Sequence, residues 1–219
     1  MSTHARHICY FFDYAALSMY SLGSALAYSA YVFPAEWLNS PFHRCYVPVA
    51  VLNSVVSTSL SCYSRFLEAE RPRFSKASRT LAFVYPYLFD SIPLFYRVRT
   101  ACLHSTKTFH TAFAFLTCFI FASHLPERLA PGHFDYIGHS HQVFHVCGII
   151  GTHFQMEAIT MDMAERHDQL LPPSLLPSSL QTLGAMGIGM AVSLAVIGLC
   201  SVSLRFMPEP LQREKPHGY

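Results

Sequence analysis

Long apolar runs, separated by shorter polar segments, dominate this sequence. Six runs are near the length of a membrane span and cover residues of about 8–33, 45–64, 80–96, 108–123, 141–161 and 182–204. A helix rises 1.5 Å per residue, so roughly 20 residues cross the hydrocarbon of a bilayer. The pattern therefore predicts an all-α integral membrane protein, a multi-span helical bundle of six spans in one domain.

Two of these runs carry further structural signals. The third contains Pro86 and Pro93, which interrupt helical hydrogen bonding and predict a kink. The last places Ala185, Gly189 and Ser193 at four-residue spacing, on one side of a helix. Small residues on one side predict close packing of this helix against a neighbour.

The composition supports the membrane interpretation and excludes some functions. Hydrophobic residues make up 52% and charged residues 13%, against roughly 25% charged residues in an ordinary soluble domain. No basic run interleaved with aromatic residues indicates a nucleic-acid partner. The seven cysteines form no CxxC pair, which argues against zinc ribbons and redox motifs, and most lie in apolar runs as small core residues.

The distribution of Lys and Arg predicts the orientation in the bilayer. With six spans, ten of these residues fall on one side of the membrane and five on the other. Positive residues concentrate on the cytoplasmic side. Both termini are therefore expected in the cytoplasm.

The start of the fifth run contains a candidate metal site. His141 and His145 are four residues apart, so on a helix they share one face about 6 Å apart along the axis. Two such imidazoles can bind zinc, whereas the alternative is a pair of neutral imidazoles that donate to a neighbouring helix. Ionisable groups inside a membrane face a partner, a cavity or an ion.

A carboxylate is expected at a similar depth. Asp13 lies about a turn inside the cytoplasmic end of the first run, and the fifth run enters from the same side. One carboxylate and two imidazoles would suit a zinc site in which the carboxylate orients a ligand or water. The alternative is an Asp–His hydrogen bond that only ties two helices together.

Four segments of the sequence are similar to a known family. They are HICYFFDY at 7–14, LSCYSRFLE at 60–68, HLPER at 124–128 and FDYIGHSHQVFH at 134–145. Over about residues 6–163 the chain resembles the progestin and adiponectin receptor family, in particular its membrane progestin receptor branch and the gamma type. The last run matches the additional helix expected of that branch.

This resemblance implies a seven-helix core with zinc near the cytoplasmic face, followed by an eighth helix. Residue by residue, His141 and His145 match two zinc ligands of the family, and Asp13 matches the acidic residue that contacts the zinc-bound water. The family's third zinc histidine belongs to its second helix, upstream of the first run here. The six runs would then be helices three to eight, and the resemblance predicts a chain that lacks the first two.

The resemblance leaves three functions open. The leading one is a plasma-membrane receptor that binds a progestin steroid and signals inward through a heterotrimeric G protein. The second is a zinc-dependent amidase of ceramide-type lipids, in which zinc lowers the pKa of its water and Asp13 orients or deprotonates that water as the catalytic residue. The third is a short, inactive or regulatory form of the receptor.

Candidate steroid contacts lie in the outer half of the fifth run. His153, Gln155 and Glu157 can form hydrogen bonds to a steroid ketone. The alternative is that these side chains make polar contacts between helices.

Overall fold

The computed structural model describes residues 3–38, 40–67, 71–100, 112–113, 115–117, 119–120, 123, 138, 140–168 and 178–206. Across these ranges the regular structure is helical, without a strand, which confirms the predicted all-α fold class. The α-helices with described bounds are α1 (Thr3–Ala27), α2 (Pro41–Phe66), α3 (Pro72–Asp90), α4 (Ile92–Thr100), α5 (Ser140–Asp168) and α6 (Ser179–Ser203).

Short helical segments of other types adjoin these helices. A π-helix over Tyr28–Val32 continues α1, a 3₁₀-helix covers Ala35–Trp37, and another over Leu204–Phe206 ends α6. Helices cover most of the predicted runs at 8–33, 45–64, 141–161 and 182–204, and the boundaries of the membrane spans stay a prediction. The run at 108–123 falls largely outside the described residues.

The third run is interrupted, as its prolines predict, but the break lies at Ser91 between α3 and α4. Pro86 is accommodated inside α3. Pro93 has no N–H to donate to the carbonyl of Phe89, four residues earlier, and it lies in the first turn of α4, where a proline is well tolerated. The second proline is therefore the one that accounts for the break.

The chain divides into two compact units, residues 1–92 with 173–219 and residues 93–172. In the first unit, α1 and α2 pack against each other and against α3 and α6. One apolar cluster of this unit contains Leu22, Ala25, Leu26, Phe33, Tyr46, Ala50 and Ala185, and a second contains Phe11, Tyr14, Ala15, Cys62, Ile197 and Leu204. The two clusters form the core of this unit.

Close packing of α6 through its small residues is confirmed. Ala185, Gly189 and Ser193 are all buried, although most of this helix is exposed. A Cβ atom added at Gly189 would lie 2.6 Å from Cδ2 of Leu22. A larger residue at this position would require the buried Leu22 side chain to move, so glycine favours the close approach of α6 to α1.

Two of the described helices, Pro41–Phe66 and Leu180–Phe206, are long and apolar enough to cross a membrane. This result rests on length and composition alone, so the count of six spans stays a prediction. The exposed face of the second of these helices is strongly apolar and includes Leu180, Leu183, Ile188, Leu194, Leu199 and Val202. A continuous apolar surface of this kind fits hydrocarbon better than water.

Candidate functional site

The predicted metal ligands lie at the start of α5. Because this helix begins at Ser140, His141 and His145 lie in its first two turns, four residues apart. The side chain of His145 is exposed, and that of His141 lies outside the described side chains. Gly138 has φ 82° and donates its N–H to Oε1 of Gln142 at 2.7 Å. Since glycine adopts this backbone conformation readily, the Gly138–Gln142 bond defines how the chain enters the helix.

Asp13, the predicted catalytic carboxylate, is an exposed residue of α1 in the first unit. His141 and His145 belong to the second unit, so a meeting of these three side chains stays a prediction. Within the described part of the chain, no three His, Cys, Asp or Glu side chains are grouped closely enough to hold a metal ion. Imidazole and carboxylate are ligand types that zinc accepts, so the residue types fit while the zinc site stays a prediction.

The three predicted steroid contacts do not share one face of α5. His153 and Glu157 are one turn apart and exposed, whereas Gln155 is only 5% exposed. A step of two residues along an α-helix turns by about 200°, which places Gln155 on the opposite face. His153 and Glu157 therefore share a surface, and Gln155 faces the interior of its unit.

A buried ion pair joins α4 to α5. Nη1 of Arg97 lies 3.0 Å from Oδ2 of Asp162, and the two side chains are 22% and 2% exposed. A carboxylate at this depth requires a positive partner, because an unpaired buried charge is costly. The predicted fifth run ends at residue 161, one residue before Asp162, and a charge at the edge of an apolar run is the signal that could have identified this residue.

A second polar centre lies inside the first unit, around Asp90 at the end of α3. This residue is 4% exposed, and its Oδ2 accepts a hydrogen bond of 2.5 Å from the Ser21 hydroxyl. The Tyr46 hydroxyl donates to the main-chain carbonyl of Asp90, also at 2.5 Å. Within the described residues, Oδ1 of Asp90 has no hydrogen-bond partner. The centre ties α1, α2 and α3 together, and an ionisable residue within an apolar run was the signal for it.

Buried hydroxyl groups connect α1 to α2. The Ser54 hydroxyl donates to the main-chain carbonyl of Ser18 at 3.2 Å, and Oγ of Ser18 lies 3.1 Å from Oγ of Ser57. Serine is small enough to let two helix backbones approach and can donate across the contact. These bonds fix how the two helices pack without any charged group.

The sequence is similar to one protein family and to several named receptors. Residues 1–156 match the family described as haemolysin-III related. The chain is 57% identical to membrane progestin receptor gamma-B of Danio rerio, with 96% of this chain and 67% of that protein aligned. It is 52% identical to membrane progestin receptor delta of Mus musculus (96% and 64%) and 50% identical to membrane progestin receptor gamma of Homo sapiens (98% and 67%).

The chain thus spans about two thirds of the length of these curated relatives. No solved structure matches the sequence.

Proposed function

Since the chain belongs to the haemolysin-III related family, we propose that it acts as a membrane progestin receptor. The observation that carries the proposal is the high identity, from 50% to 57%, to receptors of that name over at least 96% of this chain. The chain is an integral membrane protein with a multi-span helical fold. The apolar exposed face of α6 supports its placement in a lipid bilayer.

The exposed face of α5 has the chemistry that a progestin requires. A progestin is a rigid, apolar ring system with ketone oxygens, so it needs apolar surface and a hydrogen-bond donor. His153 lies between exposed Ile149 and Met156, and Glu157 follows one turn later. In the proposed site, the imidazole donates to a ketone and the carboxylate orients the imidazole. Gln155 would reach a ligand only from the interior of the unit.

Saturation binding tests this proposal. Membranes that contain the full chain should bind a tritiated progestin saturably, with displacement by unlabelled progestin and not by cholesterol. His153→Phe should weaken binding roughly tenfold, the equivalent of about 1.4 kcal/mol, since it removes one hydrogen bond. Met190→Ala, a change at an exposed residue of α6 in the other unit, should leave the affinity unchanged. Absence of saturable binding by a monodisperse protein would contradict the receptor assignment.

The proposed receptor lies in the plasma membrane with both termini in the cytoplasm and signals inward through a heterotrimeric G protein. The excess of Lys and Arg on one side, ten against five, supports this orientation. Epitope tags inserted within 68–70 and at the C-terminus should both be cut by a protease only after the plasma membrane is permeabilised. Progestin should also increase guanine-nucleotide exchange in membranes that carry the receptor, and a flat response would count against G-protein coupling.

Zinc is the proposed cofactor, with His141 and His145 as ligands and Asp13 near the metal. The imidazole and carboxylate groups of these residues support this assignment through their chemistry. When bound, zinc would supply Lewis-acid chemistry, and α5 would fix the spacing of the two histidines on one helix face.

A further inference from the structure

Two cysteines from different helices meet in the first unit. Cys62 of α2 is fully buried, and Cys200 of α6 is partly exposed and packs into the same apolar cluster. Both are free thiols, and the helices that carry them pack against each other. Cysteines that share one cluster on two packed helices need only local movement to form a covalent bond.

The position of the pair gives a small reagent access to it. Cys62 lies three residues before Arg65, and Cys200 lies five residues before Arg205. At 1.5 Å per residue, each thiol is about 5 to 8 Å along its helix from a charged side chain. Since charged side chains favour water over hydrocarbon, the pair lies within two turns of one polar end of the bundle. A water-soluble reagent can approach there, and it would meet the partly exposed Cys200 first.

We infer that Cys62 and Cys200 form a reversible disulfide that links α2 to α6 when the protein meets a low-molecular-weight disulfide. The Cys200 thiolate attacks one sulfur of that reagent, forms a mixed disulfide and releases the first small thiol. The Cys62 thiolate then attacks the sulfur of Cys200 and expels the second small thiol. Two protein thiols are oxidised, one small disulfide is reduced, and the two protons lost by the cysteines are taken up by the released thiolates.

The burial of the two thiols sets the order of these steps. Exchange requires direct contact between the attacking sulfur and the reagent, which Cys200 allows and the fully buried Cys62 does not. Cys62 can attack only a sulfur already beside it, as the mixed disulfide at Cys200 would be. The bond would hold together the two helices that are apolar and long enough to cross a membrane. This redox link is independent of steroid binding.

A cleavage experiment on the full chain tests the inference. A protease recognition sequence is inserted within 169–177, between the two cysteines, and Cys200 is the only cysteine after that site. The protein is treated with oxidised glutathione, and the remaining free thiols are blocked with N-ethylmaleimide. It is then cleaved, and the fragments are separated on a denaturing gel without reductant. The two fragments should migrate together, and they should separate after dithiothreitol.

Matched variants identify the partner of Cys200. Cys62→Ala and Cys200→Ser should each give separated fragments without reductant, whereas Cys9→Ser and Cys45→Ser, which remove exposed thiols, should leave them linked. Linked fragments in Cys62→Ala, or separated fragments in the oxidised parent, would overturn the inference.

Folding of the variants is checked by their elution as single peaks in detergent. If Cys62→Ala does not fold, peptide mapping of the oxidised parent protein under non-reducing conditions shows whether Cys62 and Cys200 are linked. A cross-linked peptide that contains both 62 and 200 supports the disulfide, and free alkylated peptides at both positions refute it.

Discussion

The hydroxyl of Tyr46 donates to the main-chain carbonyl of Asp90 across the contact between α2 and α3. That carbonyl belongs to the last residue of α3, and the last carbonyls of a helix lack a partner within the helix. Tyr46 is fully buried, stacks on Phe89 at 5.6 Å and meets Phe33 edge-on at 4.9 Å. One side chain therefore caps a helix end and fills the core of the first unit.

Tyr46→Phe should destabilise the protein without changing its packing. The substitution keeps the ring and removes the hydroxyl, so the carbonyl of Asp90 loses a donor, at a cost of about 1 to 2 kcal/mol. The thermal midpoint is the temperature at which half of the protein still elutes as a single peak after heating in detergent. It should be lower for the Tyr46→Phe variant than for the parent protein. Tyr63→Phe is the control because Tyr63 is exposed, and its midpoint should match that of the parent protein. Equal midpoints for all three proteins would contradict the importance of this bond.

Gly189→Val should separate α6 from α1. A Cβ atom at this position would lie 2.6 Å from Leu22, which is itself fixed in the core, and overpacking of this kind costs roughly 1 to 3 kcal/mol. Gly187→Val adds the same atoms two residues earlier, where no atom lies within 4 Å of the added Cβ, and should have little effect. The measurement is the difference between the thermal midpoints of the two variants. A lower midpoint for Gly187→Val than for Gly189→Val would contradict the contact between Gly189 and Leu22.

Arg97→Ala should be among the most damaging single changes in the second unit. It leaves the carboxylate of Asp162 buried without its positive partner, which costs roughly 3 to 5 kcal/mol for a fully buried pair and less where, as here, the arginine is partly exposed. The double variant Arg97→Met with Asp162→Leu should recover part of the loss, since neither charge then remains. A double variant whose loss equals the sum of the two single losses would show that the pair is not coupled.

His145→Ala should lower the zinc content of the purified protein. A tetrahedral zinc site that loses one of two protein imidazoles on the same helix keeps too few ligands. His153→Ala provides the comparison, because it removes another exposed histidine from α5 and should leave zinc unchanged. Metal analysis after gel filtration gives the stoichiometry of each variant. Loss of zinc from both variants, or from neither, would count against the assignment.

The sequence predicted features that depend on spacing within one helix. The stripe Ala185, Gly189 and Ser193 was recognised because residues four apart share a helix face, and the structure buries all three. The same rule should have separated Gln155 from His153 and Glu157, since these residues are two apart. The three residues were grouped by their proximity along the chain, and their contact with a steroid stays a prediction.

The spacing of residues within one helix does not predict contacts between distant segments of the chain. Arg97 and Asp162 lie on different helices, and so do Cys62 and Cys200. Hydrophobic periodicity indicates which face of a helix is buried, but it does not identify the partner helix or the relative level of two helices. A contact between Asp13 and the histidines would be of the same kind, and it stays a prediction.

The π-helix that continues α1 has a consequence for how this chain can change in length. Its turn is closed by the N–H of Phe33, which donates to the carbonyl of Tyr28 five residues earlier, at 3.1 Å. An α-turn spans four residues, so a π-turn holds one additional residue between the same two ends. Loss of one residue from 28–32 would restore an α-turn and leave Phe33 in place against Tyr46. Homologous chains one residue shorter in this region are therefore expected to carry their gap here rather than within α1.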